Sequence, residues 1–279
     1  MRTVLTESPE VAADSIKSGE VVAFPTETVY GLGADIFNEA AINKIFVAKG
    51  RPRDNPLIAH IHSLEQLPLL CHDISATAAK LIDKFFPGPL TIVLPKLTAV
   101  PAVASAGLDT IGVRMPQHDL AHAFLKYAKN PVAAPSANLS GRPSPTAWQA
   151  VFDDLDGRIA CILKGEITRF GIESTVLDCS SKTPIILRPG SVSLEEIKEV
   201  APDAEVASAL SPDTIRSPGM RHRHYAPNAR VIVVDTPPST VADGSAYIGV
   251  SDVHYPKRFV SLIIVKDAVE YIDKHAKGK

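Results

Sequence analysis

Residues 21–33 read Val21-Val22-Ala23-Phe24-Pro25-Thr26-Glu27-Thr28-Val29-Tyr30-Gly31-Leu32-Gly33. Val21 to Phe24 form a short buried-strand run, and Pro25 ends it, because a proline has no N–H to give to a ladder. Thr26, Thr28 and Tyr30 then put three hydroxyls just past the strand end, and Gly31 and Gly33 allow close backbone approach. Outward from this stretch the apolar period alternates between strand and helix. Asn38 is an N-cap for a helix with Ile42, Ile45 and Phe46 on one face, ending at Lys49-Gly50. Leu57 to Ile61, Leu90 to Leu94, Ile111 to Met115, Val132 to Ala134, Ile159 to Leu163, Thr175 to Leu177 and Ile185 to Leu187 read as further strands. Helices are expected over Ser75 to Phe86, His118 to Ala128 and Thr146 to Leu155, and Ser193-Leu-Glu-Glu is a capping box opening a short one. Strands this short and irregularly spaced do not suit a simple doubly wound order. The expectation is an α/β domain over residues 1–200 built on a mixed, twisted sheet. Residues 201–228 lack periodicity and read as a linker. Residues 229–279 read as a small α/β unit, with strands at Arg230 to Asp235, Tyr247 to Val250 and Phe259 to Val265 and a helix from Asp267.

Composition narrows the classes. Apolar residues make up 45% of the 279-residue chain and charged ones 22%, which excludes wholesale disorder. The net charge of −2 means that any nucleic-acid role needs a local basic patch rather than a global field. The 23 prolines exceed the usual ~5% and sit mostly at the edges of apolar runs. Three distant cysteines with no CxxC support neither a zinc ribbon nor a dithiol site. They fit a reducing cytoplasm. The N-terminal stretch lacks a signal-type apolar core, and no run approaches ~18 apolar residues, so no membrane association is expected.

Three clusters carry candidate chemistry. Lys49, Arg51 and Arg53 splay from one proline-stiffened loop, as an anion clamp or as a solvated basic turn that the helix macrodipole favours. In Ala133-Ala-Pro-Ser136-Ala-Asn138 a strand again runs into a proline, and Ser136 and Asn138, two apart, face one site in extended backbone. The alternative is an ordinary Asx or Ser turn. Arg114 lies inside an apolar strand, where a charge needs a partner: either a carboxylate pairs with it internally or it meets an anionic ligand. Arg188 repeats the pattern, and the two together favour a ligand. There is no GxxxxGK[ST] loop and no third glycine after Gly31-Leu-Gly33, so any triphosphate is held by side chains. His118 and His122 have helical i, i+4 spacing without the HExxH glutamate, and no metal site is expected there. His222 and His224 sit in a basic loop.

The segments Pro25-Thr-Glu-Thr-Val-Tyr-Gly-Leu-Gly, Lys49-Gly-Arg51 with Asn55-Pro-Leu, and Ser136-Ala-Asn138 resemble the YrdC-like threonylcarbamoyl-AMP synthases and their KxR…SxN signature. Ser217-Pro-Gly-Met-Arg-His-Arg-His-Tyr-Ala-Pro resembles the linker of the longer, two-domain form, here with a shortened Rossmann-like C-terminal unit. The resemblance implies a YrdC-like domain with a central basic cavity. It implies formation of threonylcarbamoyl-AMP and pyrophosphate from L-threonine, bicarbonate or carbon dioxide, and ATP accompanied by Mg²⁺. The product would pass to a downstream tRNA threonylcarbamoyl transferase machinery that modifies the adenosine beside the anticodon; direct tRNA binding is left open. It places threonine against Thr28, His60, Arg114, Ala134 and Ser174. ATP is placed against Arg51, Asn55, Thr110, Ser136, Ser144, Arg188 and Tyr225, the last reaching back from the linker as part of a lid. Lys49 and Asn138 complete the signature, so Lys49, Arg51, Ser136 and Asn138 form the catalytic set.

The reading asks that cations from distant stretches gather unspent around one hollow, and that no internal acid neutralises Arg114. Its rivals are an RNA-binding module of the same fold, carbamoyl transfer to another acceptor, and a structural α/β domain. The first predicts steep salt dependence and no ATP consumption. The last leaves Arg114 and Arg188 unexplained.

Overall fold

The structure, a computed structural model, describes residues 2–207, 246–250 and 261–265. Eleven strands form one mixed sheet: β1 (Val4–Thr6), β2 (Val22–Phe24), β3 (Gly31–Asp35), β4 (Ile58–His60), β5 (Leu90–Pro95), β6 (Thr110–Arg114), β7 (Val132–Ala134), β8 (Cys161–Leu163), β9 (Thr175–Asp178), β10 (Ile185–Arg188) and β11 (Glu205–Val206). Their order across the sheet is β1-β8-β2-β3-β7-β4-β6-β5-β9-β10-β11. Parallel pairs such as β4 with β6 alternate with antiparallel ones such as β4 with β7.

Period two sorts the strands onto two layers. On one side Ala23, Ala59, Val113 and Ala133 pack with α2 (Glu39–Lys49), α3 (Ala76–Phe85), α6 (Trp148–Leu155) and α7 (Leu194–Lys198). On the other, Val22, Phe24, Val132 and Ala134 pack with α1 (Pro9–Lys17) and α5 (Asp119–Ala128). Capping is local and legible: Asn38 accepts from Ala41 N, Gly50 closes α2 in the left-handed region, and Ser193 with Glu196 forms a complete capping box. Gly31 and Gly33 belong to β3, where an added Cβ would stand 2.9 Å from the Phe24 ring and 2.5 Å from Val132 Cγ1. The close approach they allow is thus to a buried aromatic ring across the hairpin.

Beside the α1/α5 layer, the same face of the sheet continues over β4 and β6. There the outward positions are Ile58, His60, Gly112 and Arg114, of which only Ile58 is a large apolar residue, in place of a second apolar stripe. That is where the sheet leaves room for a cavity. Past residue 200, Ala201 and Ala204 are buried and Glu205–Val206 pair with β10. The first seven residues read as linker are therefore the last edge of the sheet, because they bury alanines and complete a ladder.

Chain contacts divide the protein into Met1–Ala226 and Pro227–Lys279. In the second unit β12 (Ala246–Val250) and β13 (Ser261–Val265) pair in parallel. The strand expected at Arg230 to Asp235, the terminal helix, Tyr225, His222 and His224 lie outside the described residues.

Candidate active site

The loop after β2, the end of α2, and strands β4, β6, β7, β9 and β10 deliver side chains to one cavity of about 510 Å³, counting its open mouth. Thr26, Thr28, Arg51, His60, Arg114, Ala134, Ser136, Glu173, Ser174 and Arg188 line it. His60 and Arg114, 54 positions apart, meet here because β4 and β6 pair in parallel with these two residues in register. Ala134 enters from β7 on the other side of β4.

The expectation of unspent cations is corrected by the geometry. Arg114 is neutralised by an internal acid: its Nη2 stands 2.7 Å from Glu27 Oε2, both side chains being about 95% buried. Nη1 donates to Thr28 Oγ1 at 2.9 Å and Nε to Gly88 O at 3.3 Å. Arg188 pairs through Nη1 with Glu173 at 2.7 Å and donates from Nε and Nη2 to Ser174 O. Glu173 also accepts from Ser144 Oγ at 3.0 Å. The reason is general: a guanidinium taken out of water without a counter-charge is costly, so the chain supplies the acid itself. Burial opposes ionisation of Glu27, but Arg114 and the Gln117 backbone outweigh it and hold the carboxyl below its ordinary value.

Lys49 departs further from expectation. Its ammonium is buried and donates to the carbonyls of Ser136 and Asn138, with Asn138 Oδ1 at 3.4 Å. Asn138 in turn accepts from Ser136 Oγ at 2.6 Å and donates to the carbonyls of Leu139 and Arg142. Lys49 and Asn138 are therefore a staple behind the wall that sets Ser136, and neither lines the cavity. Burial, then the Arg51 charge, bring the Lys49 pKa down to about 7, against Glu173 and Asp154. Arg51, like Lys49, is in no ion pair among the described residues, but unlike Lys49 it lines the cavity. Its Nη2 meets the carbonyls of Asn55 and Pro56 at 3.4–3.5 Å, and its buried Nε has no hydrogen-bond partner.

The polar residues have defined hydrogen-bond roles. Thr26 donates to Val29 O, so the 2.9 Å contact between Thr26 and Thr28 hydroxyls uses the Thr28 hydrogen. Thr28 Oγ1 thus turns only lone pairs outward, one of them taken by Arg114. His60 Nδ1 lies 3.1 Å from Ile58 O, which only accepts, so Nδ1 carries the hydrogen and Nε2 a lone pair. Burial first, and the Arg114 charge second, depress the His60 pKa to about 3, against the carbonyls of Ile58 and Val132 and the charge of Glu27. The ring is neutral at physiological pH.

That shift has a stability consequence. Unfolded, His60 titrates near 6.5; folded, near 3. Between these values the unfolded chain binds more protons, so stability present above pH 6.5 is lost as pH falls. The loss attributable to His60 is roughly 1.4 kcal/mol per pH unit. Denaturant midpoints measured from pH 7 to 4.5 are expected to fall more steeply for the native protein than for His60→Asn; equal slopes would refute the assignment.

Other expected residues lie elsewhere. Thr110 shares the face of Arg114 but at the far end of β6, about 13 Å away at the usual strand rise, and it does not line the cavity. Asn55 is buried outside the lining, and Ser144, also outside it, donates to Glu173, which lines the cavity. His118 caps α5, accepting from Ala121 N at 3.3 Å, and His122 faces the ring of His62. Among the described residues no three His, Cys, Asp or Glu side chains gather to hold a metal, and no helix is long and apolar enough to cross a membrane. Glu27 and Glu173 were missed by sequence reasoning. The available signal was the alternative left open at Arg114: each acid directly precedes a hydroxyl residue already singled out, Thr28 and Ser174.

Comparison with known proteins decides the family. A family model described as telomere recombination, covering Sua5, YciO and YrdC proteins, matches residues 14–190. One described as the threonylcarbamoyl-AMP synthase C-terminal domain matches residues 192–274. A Pyrococcus abyssi protein named threonylcarbamoyl-AMP synthase is 52% identical over 230 residues, which is 81% of this chain and 68% of that one. The chain belongs to the threonylcarbamoyl-AMP synthase family. A second member of this synthase family, from Bacillus subtilis, is 47% identical over 241 residues, 85% of this chain and 70% of that one. A solved structure of P. abyssi Sua5 complexed with L-threonine superposes with a TM-score of 0.87 at 44% identity, covering 99% of this chain and 86% of that one. Like these synthases, the chain is an enzyme of the nucleotidyl-transferring class, with a role in tRNA modification.

Proposed function

We propose that this chain joins L-threonine, bicarbonate or carbon dioxide, and ATP into threonylcarbamoyl-AMP with release of pyrophosphate, for transfer to the tRNA adenosine beside the anticodon by a downstream transferase. The observation that carries the reading is one cavity lined by two chemically distinct sets of groups. Arg114, Thr28, His60 and Ser174 offer a guanidinium, hydroxyls and a neutral imidazole lone pair, suited to a hydroxy-amino acid. Arg51, Ser136 and Arg188 add cations and a further hydroxyl to the same lining, suited to phosphate oxygens, and Arg188 Nη2 joins the two sets by donating to Ser174 Oγ at 3.2 Å.

The amine of threonine attacks carbon dioxide, giving a carbamate and a proton. A carbamate oxygen then attacks the α-phosphorus, and the bond to the bridging oxygen breaks as pyrophosphate leaves. Holding three reactants in one pocket supplies the main advantage, and guanidinium groups facing the phosphates match charge that grows there. Arg188, already paired with Glu173, contributes direction more than net charge. Mg²⁺ would be held by the nucleotide: among the described residues the carboxylate lining the cavity, Glu173, is engaged by Arg188 and Ser144. That donor set suits a metal held by phosphate oxygens and water. When bound, it neutralises phosphate charge.

Mass spectrometry of the products from ATP, threonine and ¹³C-bicarbonate tests the reading. A labelled carbamoyl adenylate that forms only when all three are present is expected. Unchanged ATP, together with RNA binding that falls steeply with salt, would favour the nucleic-acid alternative instead.

A further inference from the structure

We propose that Glu27 is the positioning residue of the amino-acid subsite: from behind the cavity wall its charge fixes the Arg114 guanidinium so that N–H groups not used in internal hydrogen bonds meet the substrate's α-carboxylate in one orientation. The proposal rests on the threonine reading above.

Arginine carries five N–H donors in a planar fork. Two are spent on hydrogen bonds, to Gly88 O and Thr28 Oγ1, and Nη2 stands against Glu27 Oε2 at 2.7 Å as an ion pair without hydrogen-bond geometry. Nε and Nη1 are thus anchored by hydrogen bonds and Nη2 by charge alone, so Nη1 keeps one N–H and neither N–H of Nη2 is spent on an internal hydrogen bond. Arg114 lines the cavity; Glu27 does not, although its neighbours Thr26 and Thr28 on either side do. The acid cannot therefore touch a ligand first, and its effect must pass through the arginine. Its own place is fixed by the backbone, since Phe170 N donates to Glu27 O at 2.9 Å. Two of the three anchors are neutral oxygens. Only Glu27 supplies charge, so it sets both the orientation of the fork and the tolerance of a cation buried to this depth.

Steady-state kinetics on the full-length protein test this. Glu27→Gln keeps the size and an acceptor oxygen but removes the charge. It is expected to raise the threonine KM roughly tenfold or more, the scale of a hydrogen bond to a charged group, with the ATP KM within about twofold of native. Glu27→Asp keeps the charge one carbon short and is expected to give a smaller rise, about threefold. In Glu27→Gln/Arg114→Lys the threonine KM is expected to match that of Arg114→Lys alone, because both act through one guanidinium. Additive effects, an unchanged threonine KM, or equal rises in both KM values would overturn the proposal. Should Glu27→Gln not fold, the Asp variant decides: a native threonine KM there sinks the idea. If the native enzyme shows no threonine-dependent turnover, the functional reading and this proposal fall together. If it does and Glu27→Gln matches it, only the proposal falls.

Discussion

Arg51→Ala is expected to lower threonine- and bicarbonate-dependent pyrophosphate release by roughly 10²–10³-fold, the usual cost of losing one donor aimed at developing charge, without lowering thermal stability. Both halves follow from its surroundings. Arg51 is buried at the cavity wall, meets only long carbonyl contacts through Nη2, and has an Nε with no partner. Burial, and the like charge of Arg188, lower its pKa to about 10 against Glu173 and Asp54, so it stays charged at neutral pH. A buried cation with few internal bonds contributes little to folding, and its removal is often neutral or stabilising. What it retains is unspent donor capacity facing the cavity. Turnover and the melting temperature, measured on one preparation, check the prediction. Near-native turnover would remove Arg51 from the phosphate side, and a large drop in stability would make it a structural residue.

Lys49→Met is expected to show the opposite signature. The thioether fills nearly the same volume but gives no hydrogen to Ser136 O or Asn138 O, so the staple behind the cavity opens. Stability should fall by roughly 1–3 kcal/mol, the cost of leaving a buried acceptor unmet. Turnover should fall at least tenfold, because Ser136 is no longer held by Asn138. Urea midpoints and initial rates decide the matter. Loss of turnover with unchanged stability would mean that the ammonium meets substrate after all. Lys49 and Arg51, two residues apart and alike in charge, are thus expected to fail differently, one through the fold and one through the reaction.

The elements themselves were largely legible. Asn38, Ser75 and Ser193 announce helix starts through short side chains that bond their own backbone, and Gly50 marks a stop through its left-handed conformation. These are local effects within a few residues, so the chain order reveals them. The short strands β1 and β11 were not read, since two or three residues carry too little periodicity, and α1 was not read although Ser8 caps it and Pro9 opens it. The site was half legible. The KxR and SxN segments, Arg114 and Arg188 were all singled out, but two of the four cations were assigned charge that the fold has already spent on acids, and a third faces carbonyls. Charge pairing joins positions such as 27 with 114, which no local window compares.

What the order of residues determined by itself is the strand–helix alternation, the caps and the family, because each depends on neighbours along the chain or on motifs kept intact. Which guanidinium is neutralised, which ammonium turns inward and which donor stays open were decided only in three dimensions. Low-dielectric surroundings make every buried charge seek a partner, and the partner is whatever the sheet places within reach.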